Sequence, residues 1–368
     1  MIKRFHGIDR HKSLSKVSIL NREGIEEKLL TVIGNLKHYI QNLGPEDAFA
    51  IETGIGCFYW ATIIESRGAK CFIVDPYRFR IIKDSWKKTD KNDCRNIAKA
   101  LWVYLITGEF GLPEVYKPAK EIIELRKLFS QYRNINKYLN MLKNNIQSVL
   151  LDDGIALTSK DKKLLLSKET GEKFLKLLDI SDASRISIKV SLDILCNVSE
   201  QKEIITREIM RAGVPFEDKV KLLISIKGIT PLSALAFLAD VGDIKRFKSV
   251  RKMNSYLGLV PKVKESANKG KNCHINKASR YLTRTILTQS LIQAIDASPY
   301  FRNSYEDTKY RRGAGRARIG LIRKICDIMR KMLLDNELFK YVKMPLYIKK
   351  VKYFDKLIKE FEEERKSA

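Results

Sequence analysis

The chain has 368 residues, of which 70 are Lys or Arg and 43 are Asp or Glu, giving a formal net charge of +27. Such an excess points to a polyanionic partner, while a 44% hydrophobic share excludes a disordered basic tail and the length suggests two or three domains. No run approaches the ~18 apolar residues of a membrane span, and the first residues lack the apolar stretch of a secretory signal, so no membrane association and a cytoplasmic location are expected. Six cysteines are scattered without a CxxC pair and only four histidines are present. A zinc site or disulfide framework is therefore not expected, and chemistry must be built from carboxylates, hydroxyls and a bound ion.

In chain order, short β-rich runs occur at Phe5 to Asp9, Lys16 to Leu20, Lys28 to Ile33, Ala48 to Glu52 and Lys70 to Asp75. Helical stretches lie between the later ones, at Leu36 to Leu43 and Phe58 to Glu65, and a long helix is expected after Pro76. This mixed α/β order resembles that of ribonuclease-H-like domains. From Leu125 the apolar positions Leu128, Tyr132, Ile135, Leu139, Leu142, Ile146 and Val149 follow steps of 3 and 4, a coiled-coil period. A second helix carries Val190, Ile194, Val198, Ile205 and Ile209. The two helices pair either with each other or with another subunit. Residues 152 to 180, rich in Lys, Asp, Ser and Gly, read as a mobile connection with one short helix. Next, Leu222 to Pro231 and the helix Leu232 to Ala239 form either a helix-hairpin-helix unit, with turn amides at Gly228 free for a phosphate, or an ordinary helical hairpin. Beyond Pro345 the chain reads as a charged, solvated helical tail.

Asp9 closes the first strand and Glu52 the fourth, which are neighbours in a ribonuclease-H-like sheet. Asp90 and Asp93 stand three apart, on one face of the first turn of the helix that runs on through Ile97 to Leu105. Like charges so placed repel unless cations separate them. Four oxygen donors suit Mg²⁺ or Mn²⁺, and two such ions, about 3.5–4 Å apart, can activate an attacking oxygen and stabilise a leaving one. Each acid alone also reads as a surface charge or, for Asp90, a helix cap; Asp75 and Asp84 rank as lower alternatives.

These motifs resemble the DEDD transposases and site-specific recombinases of bacterial and archaeal insertion sequences, the group that includes the Piv DNA invertase. Gly7-Ile8-Asp9, Ile51-Glu52-Thr53-Gly54 and Lys88-Thr89-Asp90-Lys91-Asn92-Asp93 match the amino-terminal order, in a domain similar to RuvC junction resolvases. A second set agrees: Ser225 to Ile229, Gly242-Asp243, Arg246-Phe247 and Tyr256 to Pro261. The resemblance implies catalytic and metal-binding roles for Asp9, Glu52, Asp90 and Asp93, and a nucleophilic serine that becomes linked to DNA. Ser266 is the matching position, although Ser266-Ala267 stands where the family has Ser-Gly; Ser279 and, less so, Ser255 are rivals. It further implies double-stranded DNA as substrate, a structured element-encoded guide RNA, and a homo-oligomer built through the helical region.

Around that serine, Lys262, Lys264, Lys269, Lys271, Lys277, Arg280 and Arg284 face one acid, Glu265. A second basic run holds Lys309, Arg311, Arg312, Arg316 and Arg318. Either run alone reads as a solvated face, and beside a nucleophile as a phosphate-contacting one. The expected organisation is a catalytic domain (1–115), a helical coiled-coil region (116–215), a mainly helical domain with the serine (216–345) and the tail (346–368). Two other readings stay open: a junction nuclease using water, and a non-catalytic nucleic-acid-binding relative.

Overall fold

The computed structural model describes residues 1–75, 89–108, 111–266, 269–275 and 279–367, and for 262–266 and 269–275 the backbone alone. The chain divides into two units, Met1–Lys117 and Pro118–Ala368.

In the first unit, strands β1 (Arg4–Arg10), β2 (Leu14–Leu20) and β3 (Glu26–Ile33) run antiparallel, followed by α1 (Lys37–Ile40), β4 (Asp47–Glu52), α2 (Cys57–Glu65), β5 (Lys70–Val74) and α3 (Asp90–Ile106). The sheet order is β3-β2-β1-β4-β5, with β4 parallel to both β1 and β5. The expected mixed α/β layer is therefore present. Alternation within the strands divides the apolar residues between two cores. Ile8, Val17, Phe49 and Ile51 pack with Trp60 and Ile64 of α2, whereas Phe5, Ala48, Ala50 and Val74 pack with Ile97, Ala98 and Leu101 of α3. The first helix is shorter than the sequence suggested, a single turn in which Ile40 is the only buried residue. The expected helix directly after Pro76 and the alternative acid Asp84 lie outside the described residues.

Three local features start α3 and hold it on the sheet. Thr89 accepts a hydrogen bond from the Asn92 amide and caps its start, where Asp90 and Asp93 also complement the helix dipole. At Gly7 a β-carbon would lie 2.2 Å from the Cys94 carbonyl oxygen and 2.3 Å from the Ala98 nitrogen, so only glycine lets strand and helix backbones meet. Arg95 adds a bidentate ion pair to Glu26 of β3, with bonds of 2.8 to 3.0 Å.

The second unit starts with α4 (Lys120–Asp152), α5 (Ser159–Leu165), α6 (Gly171–Lys176) and α7 (Asp182–Ala212). The long helices α4 and α7 form an antiparallel hairpin within the chain. Ile135, Leu139, Leu142 and Ile146 of the first seam are buried, as that period required. The second seam departs from expectation: Ile188, Ser191, Leu192 and Leu195 face inward, whereas Val190 and Ile194 are 52% and 47% exposed. Ile, Leu and Val occur on both sides of α7, so composition alone did not choose the buried side. The connection expected to be mobile with one short helix contains two, and it packs Leu165 and Leu175 against Ile188 and Leu192.

Next come α8 (Glu217–Leu223), α9 (Pro231–Val241), α10 (Val250–Tyr256), the antiparallel hairpin β6 (Pro261–Ser266) and β7 (Lys269–Ile275), then α11 (Leu282–Ile295), α12 (Pro299–Arg312), α13 (Ala314–Asp335) and α14 (Met344–Ser367). Thr230 and Ser233 form a reciprocal capping box at the start of α9, with Pro231 at its first position. Between α8 and α9, Gly228 has φ +88° and its missing β-carbon would lie 2.8 Å from the Ala294 nitrogen of α11. The tail is not solvated. Phe354, Ile358 and Phe361 of α14 are buried, at helical spacing that dense Lys and Glu obscure in the sequence. Lys350 of the same helix donates to the carbonyls of Ile224, Ile226 and Ile229 at 2.8 to 2.9 Å. Burial holds its ammonium down, at about 8. The Gly228 turn is thus fastened on its carbonyl side by α14.

Candidate active site

Strand β1 carries Phe5, Gly7 and Asp9 towards α3. Asp9 is 7% exposed near the end of that strand, and His11 follows two residues later on the same face. The His11 amide donates to the Leu14 carbonyl (2.9 Å) where the chain turns into β2. The Gly7 contact sets the start of α3 against the same strand end. His11 Nε2 lies 3.4 Å from Asp9 Oδ2 and 3.2 Å from Asp90 Oδ2. One donor atom from each of Asp9, His11 and Asp90 falls within 4.8 Å of the others.

Asp93 stands one turn along α3, 8% exposed, and its charge acts on Asp9. Glu52 ends β4, the parallel neighbour of β1, where the Ile8–Ile51 pair sets it in the row beside Asp9. Asp93 and Glu52 lie outside the tight group. Four acids expected from the sequence thus gather at one end of the β1–β4–α3 layer, two of them close together. Asp75 falls just beyond β5 and has no part in the group. His11 was missed by sequence reasoning; its one signal is its position two residues beyond Asp9, on the same strand face.

Burial raises the Asp9 carboxyl above the usual range; His11 opposes this, and the charges of Asp90 and Asp93 add to it. A charge so disfavoured is a place for a cation. Two carboxylate oxygens and one imidazole nitrogen form a donor set suited to a divalent ion. By contrast, the buried His6 is a structural group: it bonds Tyr39 and Asp47 and stacks on Phe49. Burial alone would raise Asp47, but bonds from His6, the Gly44 amide and Arg4 hold it at about 2.

In the second unit, Ser266 ends β6, and its backbone pairs with Lys269. Its side chain, those of Lys262, Lys264, Lys269 and Lys271, and Lys277 as a whole lie outside the described residues. Ser279 packs against Gly258, where a β-carbon would meet its Oγ at 2.1 Å, and Ser255 is exposed on α10. Arg284 donates to the Gly258 carbonyl (2.9 Å), and Arg280 is half-buried, with its amide bonded to the Tyr256 carbonyl (3.0 Å). These two arginines support the backbone beneath the β6–β7 hairpin. Arg246 does similar work: its Nε donates to the Val241 carbonyl (3.0 Å), and its guanidinium lies over the Phe247 and Tyr256 rings. In the second basic run all five cations are exposed. Lys309 pairs with Glu306 and Arg311 with Asp307, whereas Arg312, Arg316 and Arg318 make no ion pair among the described residues.

Residues 220–306, which include the β6–β7 hairpin, match the model of the transposase IS116/IS110/IS902 family. The chain is 23% identical over 294 residues to the transposase for insertion sequence element IS1111A of Coxiella burnetii, covering 77% of each protein. It is 22% identical over 292 residues to a probable family 20 transposase of Pseudomonas aeruginosa, covering 77% of this chain and 78% of that one. A putative transposase of Sinorhizobium fredii, y4qE, is 23% identical over 268 residues, covering 72% and 61%. No helix among the described residues is long and apolar enough to cross a membrane.

The raised Asp9 carboxyl has a direct consequence for stability. Asp9→Asn removes a disfavoured buried charge, so in the presence of a chelator the variant should unfold at a higher temperature than the parent. Thermal unfolding with and without Mn²⁺ checks this: the parent should gain stability from the ion and the variant should not.

Proposed function

We propose that the chain is an insertion-sequence transposase that cuts and rejoins double-stranded DNA, using a ribonuclease-H-like metal site in the first unit and a serine nucleophile in the second. The observation that carries this reading is the meeting of Asp9 and Asp90 at the end of β1, with Glu52 and Asp93 flanking them. Support for the ribonuclease-H-like assignment comes from the strand order β3-β2-β1-β4-β5 with its single antiparallel meander and parallel partners. Support for the transposase assignment comes from the family match over 220–306 and the three transposase relatives.

The roles follow from ordinary phosphoryl chemistry. Bound Mg²⁺ or Mn²⁺, as one ion or two, would polarise the scissile phosphate and offset its charge as it approaches the acids. Asp9, Glu52, Asp90 and Asp93 would hold that positive charge at the ends of β1 and β4 and the start of α3. Ser266 attacks phosphorus through Oγ; a P–O bond to one strand breaks as the Oγ–P bond forms, the serine proton leaves, and the departing oxygen takes one up. Attack by a DNA hydroxyl on the serine-linked phosphate reverses the exchange, so rejoining needs no added energy source. A serine hydroxyl is a weak nucleophile unaided, so the exchange calls for metal-bearing carboxylates, of this chain or of another subunit, at the phosphate that the serine attacks.

Phosphate binding falls to the exposed cations of α12 and α13, above all Arg312, Arg316 and Arg318, with the lysines around Ser266. Clusters of this kind neutralise phosphates and read no bases. The family resemblance implies that choice of site is delegated to a structured RNA encoded by the element, which pairs with DNA, and cations that read no bases are compatible with it.

The working form is a homo-oligomer joined through the helical hairpin. Ile186, Val190 and Ile194 of α7 are exposed on the flank that also presents Tyr138 and Met141 of α4. The Asn145–Ser191 bond marks the rim they share. Charged residues stand among them: Lys137 is exposed four residues before Met141, and Asp193 three after Val190. Two copies of a +27 chain repel, so self-association favours a face rich in exposed apolar side chains. A nucleic acid would favour the opposite.

Two experiments test this reading. Incubating the protein with element-end DNA, the flanking RNA and Mn²⁺ should give a serine-linked strand, resistant to denaturant and sensitive to protease. Asp9→Ala and Ser266→Ala should each abolish it while DNA binding persists. Full recombination by Ser266→Ala would rule out this nucleophile, and cleavage without any linked species would indicate water instead. In sedimentation, the double substitution Val190→Asp, Ile194→Asp should convert the oligomer to monomer with helix content unchanged; an unaltered mass would exclude this face.

A further inference from the structure

We propose that His11 is a direct ligand, through Nε2, of the divalent ion held by Asp9 and Asp90, and that this nitrogen donor tilts the site from Mg²⁺ towards Mn²⁺. The inference rests on the metal-dependent reading of the first unit.

The backbone at His11 is set independently of the acids. Asp9 and His11 are two residues apart and share a face, and the bond from the His11 amide to the Leu14 carbonyl fixes the turn that carries it. The ring reaches the acids with Nε2 at 3.4 Å and 3.2 Å from their Oδ2 atoms. Adjacent ligands of an octahedral ion, each roughly 2.1 Å from it, stand roughly 3.0 Å apart. The two separations are therefore within a few tenths of an ångström of neighbouring positions around one ion. The three donors also differ in exposure. Asp9's side chain is 10% exposed, whereas those of His11 and Asp90 are 46% and 54% exposed. An ion among them would rest on a buried carboxylate and keep an open side for a phosphate oxygen.

Donor chemistry supplies the selectivity. Mg²⁺ favours oxygen and keeps its waters, while imidazole suits transition ions better. Exchanging one oxygen ligand for a ring nitrogen therefore favours Mn²⁺ over Mg²⁺ at an otherwise carboxylate site. The competing arrangement is an imidazolium that only bridges two carboxylates and leaves when the ion enters; it predicts no nitrogen on the metal.

The test uses the full chain without a histidine tag and Mn²⁺ alone as probe. Electron spin-echo modulation should show ¹⁴N coupling to bound Mn²⁺ in the parent and none in His11→Ala. In that variant Mn²⁺ affinity should fall about tenfold, while Mg²⁺ affinity, read by competition, should change by less than about threefold. His11→Gln, which offers an oxygen at similar reach, should restore part of the Mn²⁺ binding without the nitrogen signal. Circular dichroism confirms that each variant is folded. Bound Mn²⁺ without ¹⁴N coupling in the parent, or coupling that survives in His11→Ala, would overturn the proposal and leave the carboxylate site standing. Failure of the parent to bind Mn²⁺ at all would instead overturn the metal reading on which it rests.

Discussion

The contact between Gly7 and the backbone of α3 is the constraint from which the candidate site follows. Asp9 belongs to a strand, and Asp90 and Asp93 belong to a helix more than eighty residues later. They become neighbours because the strand has no side chain at the one position where the helix carbonyl of Cys94 and the amide of Ala98 approach. Overpacking a close contact costs about 1–3 kcal/mol or displaces an element. Displacement here would carry Asp90 and Asp93 away from Asp9. Arg95–Glu26 and the bond from the Trp102 indole to the Arg22 carbonyl pin the same helix farther along, at the β2–β3 end.

Charge is the second theme, and the two units treat it oppositely. The first gathers acids so closely that burial and mutual repulsion raise Asp9. The second exposes Arg312, Arg316 and Arg318 on successive helices and keeps other cations for its scaffold. Lys350 fastens three carbonyls, Arg284 supports Gly258, and Arg246 lies across two rings. A net charge of +27 is consequently no measure of the binding surface. Part of it is structural, and exposed cations occur not only on α12 and α13 but also at Lys245, Lys248, Arg251 and Lys252.

Much of the first unit is legible from sequence for a physical reason. Its central strands β1 and β4 are buried on both faces, so they appear as short apolar runs bounded by turn residues, and Asp9 and Glu52 mark their ends. The seam of α4 is equally plain, because eight apolar residues keep one period. Elsewhere the period misleads. Val190 and Ile194 fit a seam as well as Ile188 and Leu195 do, and only packing decides which pair is buried. In α14 the apolar stripe of Phe354, Ile358 and Phe361 is hidden by the surrounding charge. The β6–β7 hairpin is obscured likewise: lysines alternate along both strands in place of an apolar face. His11 escaped because a lone histidine has no pattern of its own; its meaning comes from Asp90, which only the fold brings near.

The central claim is that one missing side chain brings Asp90 beside Asp9 in the proposed metal site. The most direct measurement is Mn²⁺ affinity of the folded Gly7→Ala chain, by calorimetric titration. With circular dichroism like that of the parent, the variant should bind Mn²⁺ at least tenfold more weakly, about 1.4 kcal/mol, because α3 can no longer hold Asp90 beside Asp9. Parent-like affinity in a folded Gly7→Ala chain would contradict the account.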